Sequence, residues 1–181
     1  MNRLILVLLY FVFSLHATAQ NYKPVDEGSK VHFTIKNFGI NTGGALSGLK
    51  GNIFFDPANL AASNFNVSVD AKTIDTDIEN RDEHLRDENY FDVEKYPVIV
   101  IKSAKISSNT SVPGQYYFTG TLTMRDITKD ISFPFTATIQ GSDYLFAGDF
   151  EINRLDFSVG GPSAVLNKTV KISLSILAKK S

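Results

Sequence analysis

The chain has 181 residues, of which 43% are hydrophobic and 20% charged, which predicts one globular domain with a sizeable core and excludes a disordered chain. The formal net charge of −1 argues against a nucleic-acid partner, because such proteins normally carry a basic patch. The chain has no cysteine, which excludes disulfides, thiolate metal sites, a lipidated cysteine anchor and cysteine nucleophiles.

The first segment of the chain has the pattern of a cleaved signal peptide over residues 1–19. It has a basic start at Arg3, an apolar run at residues 4–15 and an A-x-A cleavage pattern ending at Ala19. The apolar run is shorter than the ~20 residues that cross a bilayer, so we expect no stable membrane insertion. We therefore predict a periplasmic or secreted protein with a single domain over residues 20–181.

Period-2 alternation of apolar and polar residues predicts eight strands after Glu27. In the first of them, Val31, Phe33 and Ile35 share one face and polar residues occupy the other. The predicted strands cover residues 31–35, 49–55, 65–71, 99–103, 118–124, 131–139, 144–152 and 170–176. Pro134 lacks an amide donor, so we expect it at an edge or a bulge.

The links between most of these strands are short, which indicates sequential antiparallel pairing. Closure of the meander leaves no exposed sheet edge. The sequence therefore predicts an all-β fold, an eight-stranded antiparallel up-and-down barrel. A two-sheet sandwich is the alternative.

Two segments break the strand pattern, residues 75–96 and 153–167. In the first, apolar and charged residues recur at helical spacing, which predicts a short helix over residues 78–87, between the third and fourth strands. Asp75, Thr76 or Asp77 is expected to cap its start.

The same segment is the best candidate for chemistry, and the sequence favours a structural role for it. A calcium loop starting at Asp75 fails because Asn80 stands where glycine is needed and Arg86 where glutamate is needed. A zinc site is not expected, since residues 20–181 contain only two histidines. Asp82 and His84 are an acid–base candidate, but such neighbours more often form ion pairs and caps. We assign no catalytic residue, metal site or cofactor.

Five motifs stand out along the chain: "GNIFFDP" (51–57), "TIDTDIENRDEHLRDENYFDVEKYPVI" (73–99), "IKS" (101–103), "GTLTMRDITK" (120–129) and "INRLDFSV" (152–159). Together they resemble the YceI-like family of exported, lipocalin-like barrels that bind polyisoprenoids and related amphiphiles. The resemblance runs over residues 31–178. The family usually has glycine where Asp126 and Ser158 stand.

The resemblance implies a lipocalin-like barrel that carries an amphiphile, such as an isoprenoid quinone or prenyl lipid, in an apolar tunnel. Alternation alone does not distinguish a filled barrel from a hollow one. The residues expected to line the tunnel are Phe33, Ile35, Leu49, Ile53, Phe55, Phe65, Val67, Ile99, Ile101, Phe118, Leu122, Phe133, Phe135, Phe146, Phe150, Ile172 and Leu174.

For a ligand head group the candidates are Arg81, His84, Arg125 and Arg154. Arg81 and Arg154 are equally well explained as partners of nearby carboxylates. The oligomeric state stays open, a homodimer included. Two other functions stay open as well: a lipid-modifying enzyme that uses Asp82 and His84, and a filled barrel with a stress or adhesion role.

Overall fold

Nine strand segments and one short α-helix make up residues 20–181, the part of the chain that the computed structural model describes. The predicted signal peptide at residues 1–19 lies outside the described residues. The elements are β1 (Gln20–Pro24), β2 (Lys30–Asn37), β3 (Ile40–Phe55), β4 (Asn64–Asp75), α1 (Glu79–Arg86), β5 (Val98–Ser108), β6 (Gln115–Met124), β7 (Ile127–Gln140), β8 (Asp143–Asn153) and β9 (Leu166–Lys180). Two 3-10 turns cover Leu60–Ala62 and Arg154–Phe157.

The strands from β2 to β9 form a closed antiparallel barrel in which each strand pairs with its neighbours in sequence. β2 pairs with β9, as in Phe33↔Ile172, and this ladder closes the ring. The prediction of an eight-stranded up-and-down barrel is therefore confirmed, and the sandwich alternative is wrong.

The sequence analysis missed β1. This strand lies in line with β2, between the same two neighbours: Tyr22 is opposite Ile53 of β3 and Lys180 of β9. Thus β1 and β2 together occupy one position in the barrel, interrupted by a turn.

Glycines allow the long strand β3 to bend along the barrel wall. Its register with β4 shifts between Ala45 and Lys50, and Gly48 in that stretch has a φ of +74°. At Gly51, with a φ of +122°, a Cβ atom would lie 2.1 Å from the carbonyl oxygen of Asn66. These positions admit only glycine without strain, and the bulge they form increases the local twist that closure requires.

Pro134 lies where β7 separates from β8. It is opposite Tyr117 of β6, whereas the β7–β8 ladder begins one residue later, at Phe135↔Gly148. Its missing amide donor therefore costs no ladder hydrogen bond to β8, as expected for an edge position. Phe133 and Phe150 stack across this gap, with ring centroids 4.5 Å apart.

One end of the barrel is filled by aromatic rings. We call this cluster the aromatic floor; its members are Tyr22, Phe55, Phe65, Tyr116, Phe118, Phe135, Tyr144 and Phe146. Phe55 is at its centre and makes edge-on contacts with Tyr116, Tyr144 and Phe146, with centroids 5.2 to 5.3 Å apart. Such edge-on pairs add to the stabilisation that burial of the rings provides.

The predicted helix is confirmed as α1, but none of the predicted caps is used. The residue before the helix is Ile78, without a side-chain cap. Instead, the buried carboxylate of Asp82 accepts hydrogen bonds from the hydroxyl and the amide of Thr76, the latter at 2.9 Å. This reverse contact fixes the start of the helix to the end of β4.

Both positions where the family usually has glycine are left-handed here. Asp126 has a φ of +58° and Ser158 a φ of +57°. A residue with a Cβ atom is strained in this conformation by about 1–2 kcal/mol.

We predict that Ser158→Gly stabilises the protein. Ser158 is exposed, so the main effect is relief of strain, offset by the added freedom of the unfolded chain, for a net gain of about 0.5–1 kcal/mol. Thermal denaturation should show a rise in Tm of about 1 to 4 °C. The matched control is Ser111→Gly, an exposed serine without a positive φ, which should lower Tm slightly. Equal shifts in both variants would contradict the strain argument.

A candidate ligand-binding cavity in the barrel

Above the aromatic floor the barrel is hollow, with a cavity of about 380 Å³. Small-molecule sites in proteins typically have volumes of about 300–1,000 Å³. Every residue expected to line a tunnel lies on this cavity except Phe55. Phe55 is 2% exposed and belongs to the aromatic floor, so its assignment to the lining is wrong.

The walls of the cavity are apolar side chains that are only half buried. Phe33 and Ile35 of β2 and Ile172 and Leu174 of β9 point inward and retain accessible surface. In a filled barrel these positions would be fully buried, as Phe118 and Phe135 are in the floor. The structure therefore distinguishes between the two interiors that alternation allowed.

The cavity opens at the end of the barrel opposite the floor. Asn37 and Thr42 line it on either side of the β2–β3 turn, and Leu166 lines it at the start of β9. Arg81 and His84 of α1 line it from the other side. Polar groups thus surround the mouth, while the interior toward the floor is apolar.

Arg154 is the most deeply buried charged group at the cavity, with 4% exposure. Its guanidinium donates to the carbonyl oxygens of Val159, Gly161 and Asn167 at 2.7, 2.8 and 2.9 Å. No carboxylate of residues 20–181 forms an ion pair with it. The expected carboxylate partnership is wrong, because backbone carbonyls take its place.

Arg81 and His84 differ in how firmly they are held. The guanidinium of Arg81 donates from Nε to the hydroxyl of Thr76 at 2.7 Å and from Nη2 to the carbonyl of Thr76 at 2.6 Å. Here too the expected carboxylate partner is replaced. The His84 side chain is 60% exposed, with Nδ1 3.8 Å from a carboxylate oxygen of Asp87, and its ring lies 4.8 Å from that of Tyr90.

Arg125 does not line the cavity. Its Nη1 donates to the carbonyl oxygens of Tyr90 and Ser158 at 2.5 and 2.6 Å. It therefore joins the two irregular segments of the chain, and the structure gives its expected contact with a head group no support.

Of the two acid–base candidates, His84 lines the cavity and Asp82 does not. The carboxylate of Asp82 is directed to Thr76, and the nearest ionic partner of His84 is Asp87. Within residues 20–181 there is no cluster of three His, Asp or Glu side chains that could hold a metal ion. Burial raises the pKa of Tyr22 and of Tyr144 in the floor, which disfavours ionisation of these two hydroxyls.

Some residues that line the cavity were not predicted from the sequence. Tyr90, Phe91 and Val159 line it from the irregular segments, which lack the two-residue alternation that identifies an inner face. Val31, Val170 and Ile176 also line it, and the strand alternation contains the signal that would have found them.

The fold and the cavity define a lipocalin-like barrel with an apolar binding cavity. The model of the YceI-like domain matches residues 22–178, so the chain belongs to the YceI-like family. The UPF0312 protein of Yersinia pestis (strain Pestoides F) is 28% identical over 169 residues, which cover 88% of this chain and 86% of the relative.

Solved structures with a similar fold include the following two. BcnA of Burkholderia cenocepacia matches with a TM-score of 0.78 and 24% identity, over 83% of this chain and 96% of that chain. A polyisoprenoid binding domain from Saccharophagus degradans matches with a TM-score of 0.68 and 13% identity, over 91% of this chain and 100% of that chain. At these identities the likeness is one of fold.

Among the described residues, no helix has the length and apolar character needed to cross a membrane.

The different surroundings of Phe55 and Phe33 give a stability prediction. Phe55→Ala should lower the free energy of unfolding by about 3–5 kcal/mol, because it leaves a void in the packed floor. Phe33→Ala, whose ring faces the cavity, should cost less than about 1.5 kcal/mol. Urea denaturation followed by circular dichroism measures both. Equal losses would contradict the division between a packed floor and a hollow interior.

The carbonyl partners of Arg154 predict a second stability effect. Arg154→Met should lower the free energy of unfolding by about 2–4 kcal/mol, because several buried carbonyl groups lose their donor. Arg154→Lys keeps the charge but not the planar fork that reaches separate carbonyls, so it should restore less than half of the loss. Full stability of the lysine variant in urea denaturation would show that charge alone matters.

Proposed function

We propose that this protein is an exported carrier that holds a long-chain amphiphile, of the polyisoprenoid or isoprenoid-quinone class, in its barrel cavity without transforming it. The observation that carries the proposal is a largely apolar cavity with a closed aromatic floor and with Asn37, Thr42, Arg81 and His84 at its mouth. An amphiphile has the matching distribution of polarity. Its tail would lie toward the floor and its head at the mouth.

The apolar walls account for binding energy without polar contacts to the tail. Each CH₂-sized unit removed from water contributes about 0.8 kcal/mol. Phe33, Ile172 and Leu174 are half buried and retain surface that can cover such units. Shape and length of the tail, rather than hydrogen bonding, would then decide which ligands fit.

The head group would meet Arg81, His84 and Arg154, which line the cavity. Arg154 is suited to this role, because its buried positive charge has no carboxylate partner among the described residues and attracts a carbonyl or phosphate oxygen. His84 is more exposed and would contact a head group only at the surface of the mouth.

Two further observations support the proposal. A polyisoprenoid binding domain from Saccharophagus degradans shares the fold, and at 13% identity it supports the ligand class only by analogy. The signal-peptide pattern of residues 1–19 supports export to the periplasm or the medium. A carrier is useful there, because a long isoprenoid chain is almost insoluble in water.

A non-catalytic role agrees with the environment of the acid–base candidates. Asp82 is 4% exposed and bound to Thr76, so it has no free path to a substrate. The filled stress or adhesion barrel lacks support, since the barrel contains a cavity of about 380 Å³.

The test is uptake of a prenyl lipid or quinone, measured by native mass spectrometry. Ile172→Trp should reduce uptake at least about tenfold, because a larger side chain occupies space that the tail needs. The control is Lys171→Trp, the adjacent residue on the outer face of β9, which should bind as the unmodified protein does. A protein that stays empty with every prenyl lipid and quinone tested would overturn the proposal.

A further inference from the structure

Three exposed apolar side chains stand beside the mouth of the cavity. Phe38 is 74% exposed, Ile40 69% and Val165 41%. The amide of Phe38 donates to the carbonyl oxygen of Val165 at 3.0 Å, which ties the β2–β3 turn to the segment before β9. We call Phe38, Ile40 and Val165 the apolar rim.

The apolar rim is continuous with the lining of the cavity. Asn37, which directly precedes Phe38, and Leu166, which directly follows Val165, are paired across β2 and β9 and line the cavity. An amphiphile that enters or leaves at this side of the mouth therefore passes the rim.

Phenylalanine is an unusual residue at position 38, because the backbone there has a left-handed conformation. Phe38 and Gly39 form a two-residue turn in which both residues have a positive φ, +49° and +78°. Turns of this kind favour Asn-Gly, Asp-Gly or Gly-Gly, and a bulky residue there is strained. Phe38 also contributes little to the core at its exposure. Neither turn preference nor packing explains the ring, which points to a functional contact.

Basic side chains flank the apolar rim. Lys36 and Lys168 are exposed on β2 and β9, next to the turn and to the start of β9. Within residues 20–181 neither forms an ion pair with a carboxylate. Exposed aromatic and aliphatic side chains flanked by lysines are suited to the interface of an anionic membrane.

We propose that the apolar rim docks on the surface of an anionic lipid bilayer and places the mouth of the cavity against it, so that the amphiphile passes between bilayer and barrel without crossing water. This inference rests on the proposed carrier function. A second copy of the chain fits the rim less well, because three side chains provide far less than the ~800 Å² per partner of a stable interface and the lysines of two copies would repel each other.

The experiment is flotation of the protein with vesicles of phosphatidylcholine and phosphatidylglycerol in equal parts. The test variant is Phe38→Asn with Ile40→Thr, since Asn-Gly is a preferred pair for this turn and threonine suits a strand. This variant should fold at least as well as the unmodified protein, and its binding to vesicles should fall at least about tenfold.

The control variant is Ile139→Thr. Ile139 is 67% exposed but lies at the floor end of the barrel, opposite Tyr144, which in turn pairs with Ala178 near the end of β9. Its vesicle binding should be unchanged. Lys36→Gln with Lys168→Gln should weaken binding to the mixed vesicles and leave binding to pure phosphatidylcholine vesicles nearly unchanged.

Failure of docking is distinguishable from failure of the carrier function. Uptake of a water-soluble short-chain prenyl ligand from solution tests the cavity alone, and it should be equal in the rim variant and the unmodified protein. Transfer of a long-chain quinone from vesicles tests docking, and it should be slower in the rim variant. The docking proposal is overturned if the unmodified protein does not float with anionic vesicles, if the rim variant floats equally well, or if light scattering shows a dimer that the rim variant abolishes.

Discussion

The ladder between β2 and β9 joins the two ends of the meander, and the barrel and its cavity depend on it. Without the pairing of Phe33 with Ile172, β2 and β9 would be exposed edges. The same ladder places these two side chains on the inner face, where they form a wall of the cavity. Closure thus accounts at once for the lack of open edges and for an interior shielded from solvent.

The inward-facing side chains differ in size and type along the barrel, and this difference determines where the interior is filled and where it is hollow. Around Phe55, rings from several strands meet edge to edge and exclude space for a ligand. Toward the mouth the inward positions are occupied by aliphatic side chains such as Ile35 and Val170 and by the polar Asn37. Aliphatic side chains from opposite walls do not meet across an eight-stranded barrel as rings do, so space remains between them.

Alternation along the strands predicted the barrel and many of the apolar side chains that line its cavity, because each strand has one buried face. It could not separate Phe55 from Phe33, since both occupy inward positions and differ only in their distance from the floor. It also missed β1, a strand of five residues too short to display a period. Such differences depend on where strands end relative to one another, which the sequence does not encode locally.

The charged residues were harder to predict than the apolar ones, because their partners are backbone groups. Arg154 binds carbonyl oxygens at residues 159, 161 and 167, which only the folded loop brings together. Arg125 joins Tyr90 to Ser158 in the same way. The amide of Gly160 adds a second, direct link between the segments, to the carbonyl oxygen of Asn89 at 2.9 Å.

These links show what the charged segment after β4 does in the fold: it packs against the second irregular segment. Residues 75–96 and 153–167 interrupt the strand pattern at separate places in the sequence, yet they meet beside the mouth. Arginines hold both in place through carbonyl groups that would otherwise be unpaired, which costs less than burying a carboxylate with each of them. Because Arg81 and Arg154 also line the cavity, the residues that stabilise the irregular segments are the ones that determine the polarity of its opening.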